Sequence, residues 1–208
     1  KASRQGTKRC ETVLHVVVNR SHTTEHFMGN VHSSVGQFLP DSLIERINRP
    51  LGEATCLPND AYTSQIFFEL EQRYLFRRTW VLAGYAHELA EPGDMKPVEV
   101  AGIPLLLVRD ERAQIRVFQN VCRHRGARLV DAPCTRKHAI VCPYHSWTYA
   151  LNGKLERRPH FHGGDQHDVH SDERNRAGLL LVRAELWHHW ILVNIDGNAE
   201  PLAEHFKF

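Results

Sequence analysis

Two short stretches of this chain carry metal-ligating side chains in a matched arrangement. One reads Cys122-Arg123-His124-Arg125-Gly126, the other Cys142-Pro143-Tyr144-His145-Ser146-Trp147. Each offers one thiolate and one imidazole. The histidine follows its cysteine by two residues in the first stretch and by three in the second. Two cysteines on one iron and two histidines on the other form the ligand set of one kind of [2Fe–2S] cluster. Two such loops could each give a cysteine to an inner iron and a histidine to an outer, more exposed one. Cysteine and histidine pairs also build tetrahedral zinc sites. Structural zinc pairs usually leave about two to four residues between ligands, whereas a single residue separates Cys122 from His124. A zinc site also gives no role to Arg125-Gly126 or Pro143-Tyr144. The cluster is the expected occupant, and zinc the alternative.

Loops act together only where rigid elements hold them, and from Trp80 onward the pattern is β. Residues 81–84 form a candidate strand. Residues 95–100 and 103–109 flank Ala101-Gly102, a two-residue hairpin signal. A strand over 115–119 leads into the first ligand loop. Residues 139–142 lead into the second loop and 147–151 leave it. Asn152-Gly153 then predicts a type I′ turn. Residues 179–186 and 190–195 form a last pair around Trp187-His188-His189. Short strands with frequent turns predict a mainly β antiparallel sandwich or small barrel.

Ahead of it the pattern is helical. Ser42 and Glu45 have capping-box spacing, with Leu43, Ile44 and Ile47 as an apolar stripe. A second helix is predicted from Thr63 or Ser64 to about Arg78, with Ile66, Phe67, Leu70 and Tyr74 on its apolar side and Glu69, Glu71, Gln72 and Arg73 mostly opposite. Residues 1–37 are polar and without period, and read as a disordered or non-conserved extension; solvation is expected for His15, His22, His26 and His32.

The chain has 208 residues, 42% hydrophobic and 24% charged, with net charge +2. That is globular composition without the basic footprint of a nucleic-acid binder, and no apolar run is long enough to span a bilayer. Of five cysteines, Cys10, Cys56 and Cys134 remain once the loops are assigned. An odd remainder suits a reducing, cytoplasmic setting, and Cys134 reads as a small half-buried thiol.

Cys-x-His-Arg-Gly followed by Cys-Pro-Tyr-His-x-Trp-x-Tyr resembles the Rieske domain of the alpha subunit of Rieske non-haem iron oxygenases, the family of aromatic-ring-hydroxylating dioxygenases and related monooxygenases and demethylases. The resemblance extends over about residues 62–206. It implies a [2Fe–2S] cluster held by Cys122, His124, Cys142 and His145, with Tyr144 and Trp147 shielding and tuning it or packing beside it. Respiratory Rieske proteins carry a further cysteine in each loop; Ala127 and Tyr144 stand at those positions, so that disulfide is not expected. Trp147 replaces their serine donor to a cluster sulfur. Fewer donors predict a potential toward the low end of the Rieske range, about −150 mV.

The implied organisation is a helical segment over 38–80, a Rieske domain over 81–197 and the start of a truncated catalytic domain over 198–208. The implied function is electron transfer from a reductase or ferredoxin to a mononuclear Fe(II) in the missing catalytic domain, for O2-dependent hydroxylation. The chain alone is then an inactive fragment, trimeric in its full-length form, with no nucleic-acid or membrane partner. The alternative is a stand-alone Rieske ferredoxin-like carrier. Relatives act on aromatic hydrocarbons, aromatic acids and quaternary amines. Arg123, Arg125 and Arg128 form a basic patch suited to an acidic electron donor. His160, His162, Asp165, His167 and His170 could mimic a two-histidine, one-carboxylate iron site, but a Gly-Asp-rich loop gives them little rigid support. His188 and His189 read as interface residues rather than ligands.

Overall fold

The computed structural model describes residues 36–159, 161 and 166–207. The expected extension lies outside the described residues apart from positions 36 and 37, as do His160, His162 and Asp165. The chain divides into two compact units, one reaching Leu75 and one beginning at Phe76.

The first unit is helical. Helix α1 (Asp41–Ile47) buries Leu43, with Ile44 and Ile47 half-buried. Its start differs from the expected capping box: the cap is Pro40, whose carbonyl accepts from Leu43 and Ile44 N–H at 2.8 and 3.1 Å. Ser42 therefore lies inside the helix, and Asp41 supplies the favourable first-turn charge. After the single turn α2 (Asp60–Thr63), Ser64 caps α3 (Gln65–Glu71) by accepting from Phe67 N–H at 3.3 Å. The helix then widens into a π turn, Gln72–Phe76, instead of running regularly to Arg78. Its inner side centres on Phe67, which meets Phe38 edge-on at 5.4 Å. Ile66 falls off that stripe and is 63% exposed, while Glu71 is half-buried. Burial accordingly raises the Glu71 carboxyl pKa.

The second unit is antiparallel β. A six-stranded sheet has the order β1-β9-β8-β4-β3-β2. Its strands are β1 (Val81–Tyr85), β2 (Met95–Val100), β3 (Ile103–Arg109), β4 (Ile115–Gln119), β8 (Leu181–Trp187) and β9 (Trp190–Asn194). A small sheet, β5-β6-β7, is formed by Ile140–Val141, Thr148–Tyr149 and Leu155–Arg157. Short helices α4 (Ser171–Arg176) and α5 (Leu202–His205) complete the unit.

Strand β3 explains how the unit closes. Leu105, Leu106, Leu107 and Val108 are all fully buried, so the continuous apolar run has core on both faces. Leu105 and Leu107 join Val117, Val182, Ile191 and Val193 in one core, where the six-stranded sheet curls on itself like a barrel. Leu106 and Val108 join Phe118, Ile140, Tyr149 and Leu155 in the other, beneath the small sheet. Burying each large side chain stabilises by about 1.5–3 kcal/mol. Cys122 and Cys142 belong to this second core, so the ligand loops stand on the best-packed part of the molecule.

Two turns set the registers. Ala101 and Gly102 have φ of 51° and 72° between Val100 and Ile103, as the two-residue hairpin signal predicts. The turn at Asn152-Gly153 is not type I′, because only Gly153 is left-handed, at φ 87°. Gly153 N–H donates to Ala150 at 2.9 Å, and Ala150 N–H to Lys154 at 2.9 Å. This is a three-residue loop with glycine in the bulge position. A Cβ at Gly153 would lie 2.5 Å from the Phe118 ring, so packing as well as φ demands glycine here. Among the described residues no helix is long and apolar enough to cross a membrane.

Candidate functional site: a paired Cys-His loop centre

The two loops share one backbone frame. In the first, after β4, Cys122 N–H donates to Ala127 at 2.8 Å and Gly126 N–H to Cys122 at 3.0 Å. In the second, between β5 and β6, Cys142 N–H donates to Trp147 at 2.8 Å and Ser146 N–H to Cys142 at 3.0 Å. The fourth residue after each cysteine is left-handed, Gly126 at φ 72° and Ser146 at φ 56°. Each loop thus wraps its cysteine carbonyl and turns its own amides inward.

The four expected ligands come together. Cys122 and Cys142 are each 2% exposed and lie in one core cluster, and the Cys142 thiol is near enough to add to burial in raising the Cys122 pKa. Above them His124 and His145 face each other edge to face, ring centroids 4.9 Å apart. Both imidazoles are half-buried. The His145 Nδ1 is buried and has no hydrogen-bond partner. A buried polar atom without a partner costs free energy, and a metal ligand bond would satisfy it. Burial, then the neighbouring His145 and Arg125, lower the His124 pKa, favouring the neutral imidazole that can ligate. Burial is also the first cause of the raised Cys122 thiol pKa, so loading a metal group here must release a proton. Thiols inside and imidazoles outside, two and two, fit a cluster that spreads its ligands over two irons. Among the described residues, no three His, Cys, Asp or Glu side chains gather about one point for a single ion.

Aromatic rings cover both imidazoles. Trp147 stacks flat on His124, centroids 4.8 Å apart and planes within 6°. Tyr144 leans on His145 at 3.7 Å and is 59% exposed. Tyr149 closes the quoted motif, which by itself gave it no role. Its hydroxyl oxygen accepts from Arg123 N–H at 3.0 Å and lies 3.2 Å from Cys122 Sγ, to which its O–H can donate. Burial, above all, drives the Tyr149 pKa far upward, so the phenol stays protonated. Tyr149 thus gives a donor to the sulfur of a ligand cysteine, a different sulfur from the one that loses its serine donor to Trp147. The available signal was its place in the motif, as the aromatic two residues beyond Trp147. Asn120, 1% exposed, was likewise missed. Its Nδ2 donates to Val130 at 2.7 Å, and its Oδ1 accepts from Leu129 and Val130 N–H at 3.2 and 3.1 Å. It pins the chain leaving the first loop.

The remaining candidates lie at the rim of this centre or apart from it. Arg123, Arg125 and Arg128 are exposed, and Arg128 comes within 4.0 Å of Asp131. His167 is half-buried, with its carbonyl accepting from Arg158 N–H at 3.0 Å, and His170 caps α4. His188 and His189 are exposed at the hairpin tip between Trp187 and Trp190. Cys134 is half-buried, as expected, and pairs through its backbone with Met95.

Antiparallel sheets with a paired Cys-His double loop define the class of Rieske iron–sulfur domains, and residues 79–170 match the Rieske [2Fe-2S] domain family. The carnitine monooxygenase oxygenase subunit of Escherichia coli is 34% identical over 152 residues, covering 73% of this chain. The glycine betaine monooxygenase oxygenase subunit of Pseudomonas aeruginosa is 37% identical over 99 residues, covering 48% of this chain. The chain spans 39% and 23% of the lengths of these two relatives. Among solved structures, the apo form of a quaternary ammonium Rieske monooxygenase aligns with TM-score 0.62 and 31% identity, over 73% of this chain and 43% of that one. Naphthalene 1,2-dioxygenase aligns with TM-score 0.60 and 28% identity, over 69% and 32%. Residues 79–170 are thus a Rieske [2Fe–2S] domain, and the chain is similar to the Rieske part of the Rieske non-haem iron oxygenase alpha subunits. Its cofactor is a Rieske [2Fe–2S] cluster.

Proposed function

We propose that this chain is the electron-input domain of an oxygenase whose substrate is a quaternary ammonium compound. Cys122 and Cys142 hold the inner iron of the cluster, and His124 and His145 the outer. The supporting observation is the two-plus-two arrangement: two buried thiols in one core cluster, facing imidazoles, and a buried His145 Nδ1 with no hydrogen-bond partner. When bound, the cluster supplies a store for one electron at a time. The residues around it decide how that electron enters and leaves. The two half-buried imidazoles offer the exit edge. Trp147 and Tyr144 shield them, and Tyr149 donates to the inner sulfur. Exposed Arg123, Arg125 and Arg128 attract an acidic donor, either a reductase fed by NADH or NADPH or a ferredoxin.

In the complete protein the acceptor is a mononuclear Fe(II) in a catalytic domain, and assembly as a trimer would bring the imidazole edge of one subunit to its neighbour. We take 81–197 as the Rieske domain and 38–80 as the helical segment leading into it. Helices α1–α3 favour this reading over a stand-alone carrier, because small Rieske ferredoxins usually lack such a segment. Identity to the carnitine and glycine betaine monooxygenase subunits, 34% and 37%, favours a quaternary ammonium substrate. A reducing, cytoplasmic setting suits the free thiols of Cys56 and Cys134.

EPR of the dithionite-reduced protein, with iron and sulfide analysis of the same anaerobic sample, tests the centre. A rhombic signal of low average g with equal iron and sulfide is expected. A silent sample containing zinc and no sulfide overturns the proposal.

A further inference from the structure

Behind the His124 imidazole lies a buried cation that ligand binding does not use. Arg158 follows β7 and is 3% exposed. Its guanidinium forks onto Glu173 of α4, Nη2 donating to Oε2 at 2.6 Å and Nη1 to Oε1 at 3.4 Å. The same guanidinium sits over the Phe161 ring, 4.1 Å from its centroid. Phe161 meets Trp147 edge-on at 6.0 Å and 74°, and Trp147 lies flat on His124. An unbroken series of contacts thus runs from the Glu173 carboxylate to the outer imidazole.

Filling space does not explain this ion pair. Desolvating two charges offsets most of their attraction, and apolar replacements of similar volume are often as stable. Geometry offers a better account. Phe161 is 51% exposed, so burial alone is a weak reason for it to lie on Trp147. A desolvated cation beneath the ring attracts it more strongly than an exposed one could. The planar fork also orients the cation, which a lysine point charge would not do. His145 has a different arrangement, since its covering ring, Tyr144, stands exposed on the outside.

We propose that Arg158 is a positioning residue: clamped by Glu173, it holds Phe161 against Trp147, fixes the plane of the His124 ring and keeps water from that face. The proposal rests on the assignment of His124 as a cluster ligand. A ligand ring held in one orientation narrows the range of cluster environments and limits rearrangement when the electron leaves.

The test uses the full chain with its cluster loaded, as wild type, Arg158→Met, Phe161→Leu and the double variant. Iron and sulfide are measured first. Continuous-wave EPR then gives the g-line widths, and pulsed EPR after exchange into deuterium oxide gives the solvent-deuteron coupling. Both single variants should broaden the lines and increase the deuteron coupling at unchanged iron and sulfide, and the double variant should go no further than either. Unchanged spectra in both singles overturn the proposal. Broadening in Arg158→Met alone also overturns it, because Arg158 would then act by packing the segment rather than through Phe161. Should Arg158→Met fail to fold, Phe161→Leu at its exposed position decides: broadening supports the clamp, and an unchanged spectrum removes it. A wild-type chain with no sulfide and no signal overturns the ligand assignment, and the clamp with it.

Discussion

Gly126 in the first ligand loop and Ser146 in the second occupy the same left-handed position, four residues after a buried cysteine. Both loops close with the same pair of backbone hydrogen bonds. Their supports differ. The second loop is the tip of a hairpin, with Ile140 paired to Tyr149 and Val141 to Thr148 directly beneath it. The first leaves β4 and returns through a single bridge, Val121 to Arg128, with the Asn120 side chain tying down Leu129 and Val130 just beyond it. One frame is held by local strand pairing, the other by a buried amide and by a phenol from β6, Tyr149. Similar local geometry can therefore rest on quite different tertiary dependence.

The largest expected effect should be equal in both loops. Cys122→Ser and Cys142→Ser should each abolish cluster incorporation, measured as sulfide per chain; retention by either would break the equivalence of the loops. The next effect separates them. Asn120→Ala leaves two N–H donors and a carbonyl of the first loop's exit without partners, at a cost of about 3 kcal/mol in denaturant unfolding. Because the second loop has no such brace, spectral disorder should be confined to the His124 side; uniform disorder would mean that the loops are held as one.

Tyr149→Phe should cost about 1–2 kcal/mol through the stranded Arg123 N–H. It should also lower the reduction potential in film voltammetry, because one sulfur loses its donor. An unchanged potential would make Tyr149 a brace for the first loop alone. The smallest effects should have opposite signs. Gly126→Ala meets no atom within 4 Å of the new Cβ, so only backbone strain acts, destabilising by about 1 kcal/mol. Ser146→Gly should relieve similar strain and stabilise by at most about 1 kcal/mol, since glycine's extra unfolded-state freedom offsets part of the gain. Thermal unfolding of the two variants compares them directly.

Much of the scaffold was legible in residue order. The bounds of β2, β3 and β4 coincide with the apolar runs at 95–100, 103–109 and 115–119, and Ala101-Gly102 turns as its type demands. These are features of neighbours, set by alternation and turn chemistry. The failures are instructive in the same terms. Ser42 and Glu45 have capping spacing, yet Pro40 starts the helix. Asn152-Gly153 has the type I′ signature, yet Phe118 packs against the glycine and the loop takes three residues. Ile66 fits a helical period but lies at the margin of a stripe whose centre only packing could define.

The sequence by itself determined the chemistry: two cysteines and two histidines at spacings that suit a two-iron cluster and fit a zinc site poorly. Ligand type and spacing are local properties, readable without coordinates. Only the tertiary structure decided what surrounds them. Tyr149 reaches Cys122 across 27 positions, and Glu173 reaches Arg158 across 15. Contacts at such separations depend on strand register and on how α4 folds back, which no local pattern encodes. They depend equally on burial, which turns an ordinary phenol into a fixed hydrogen-bond donor and an ordinary arginine into a clamp.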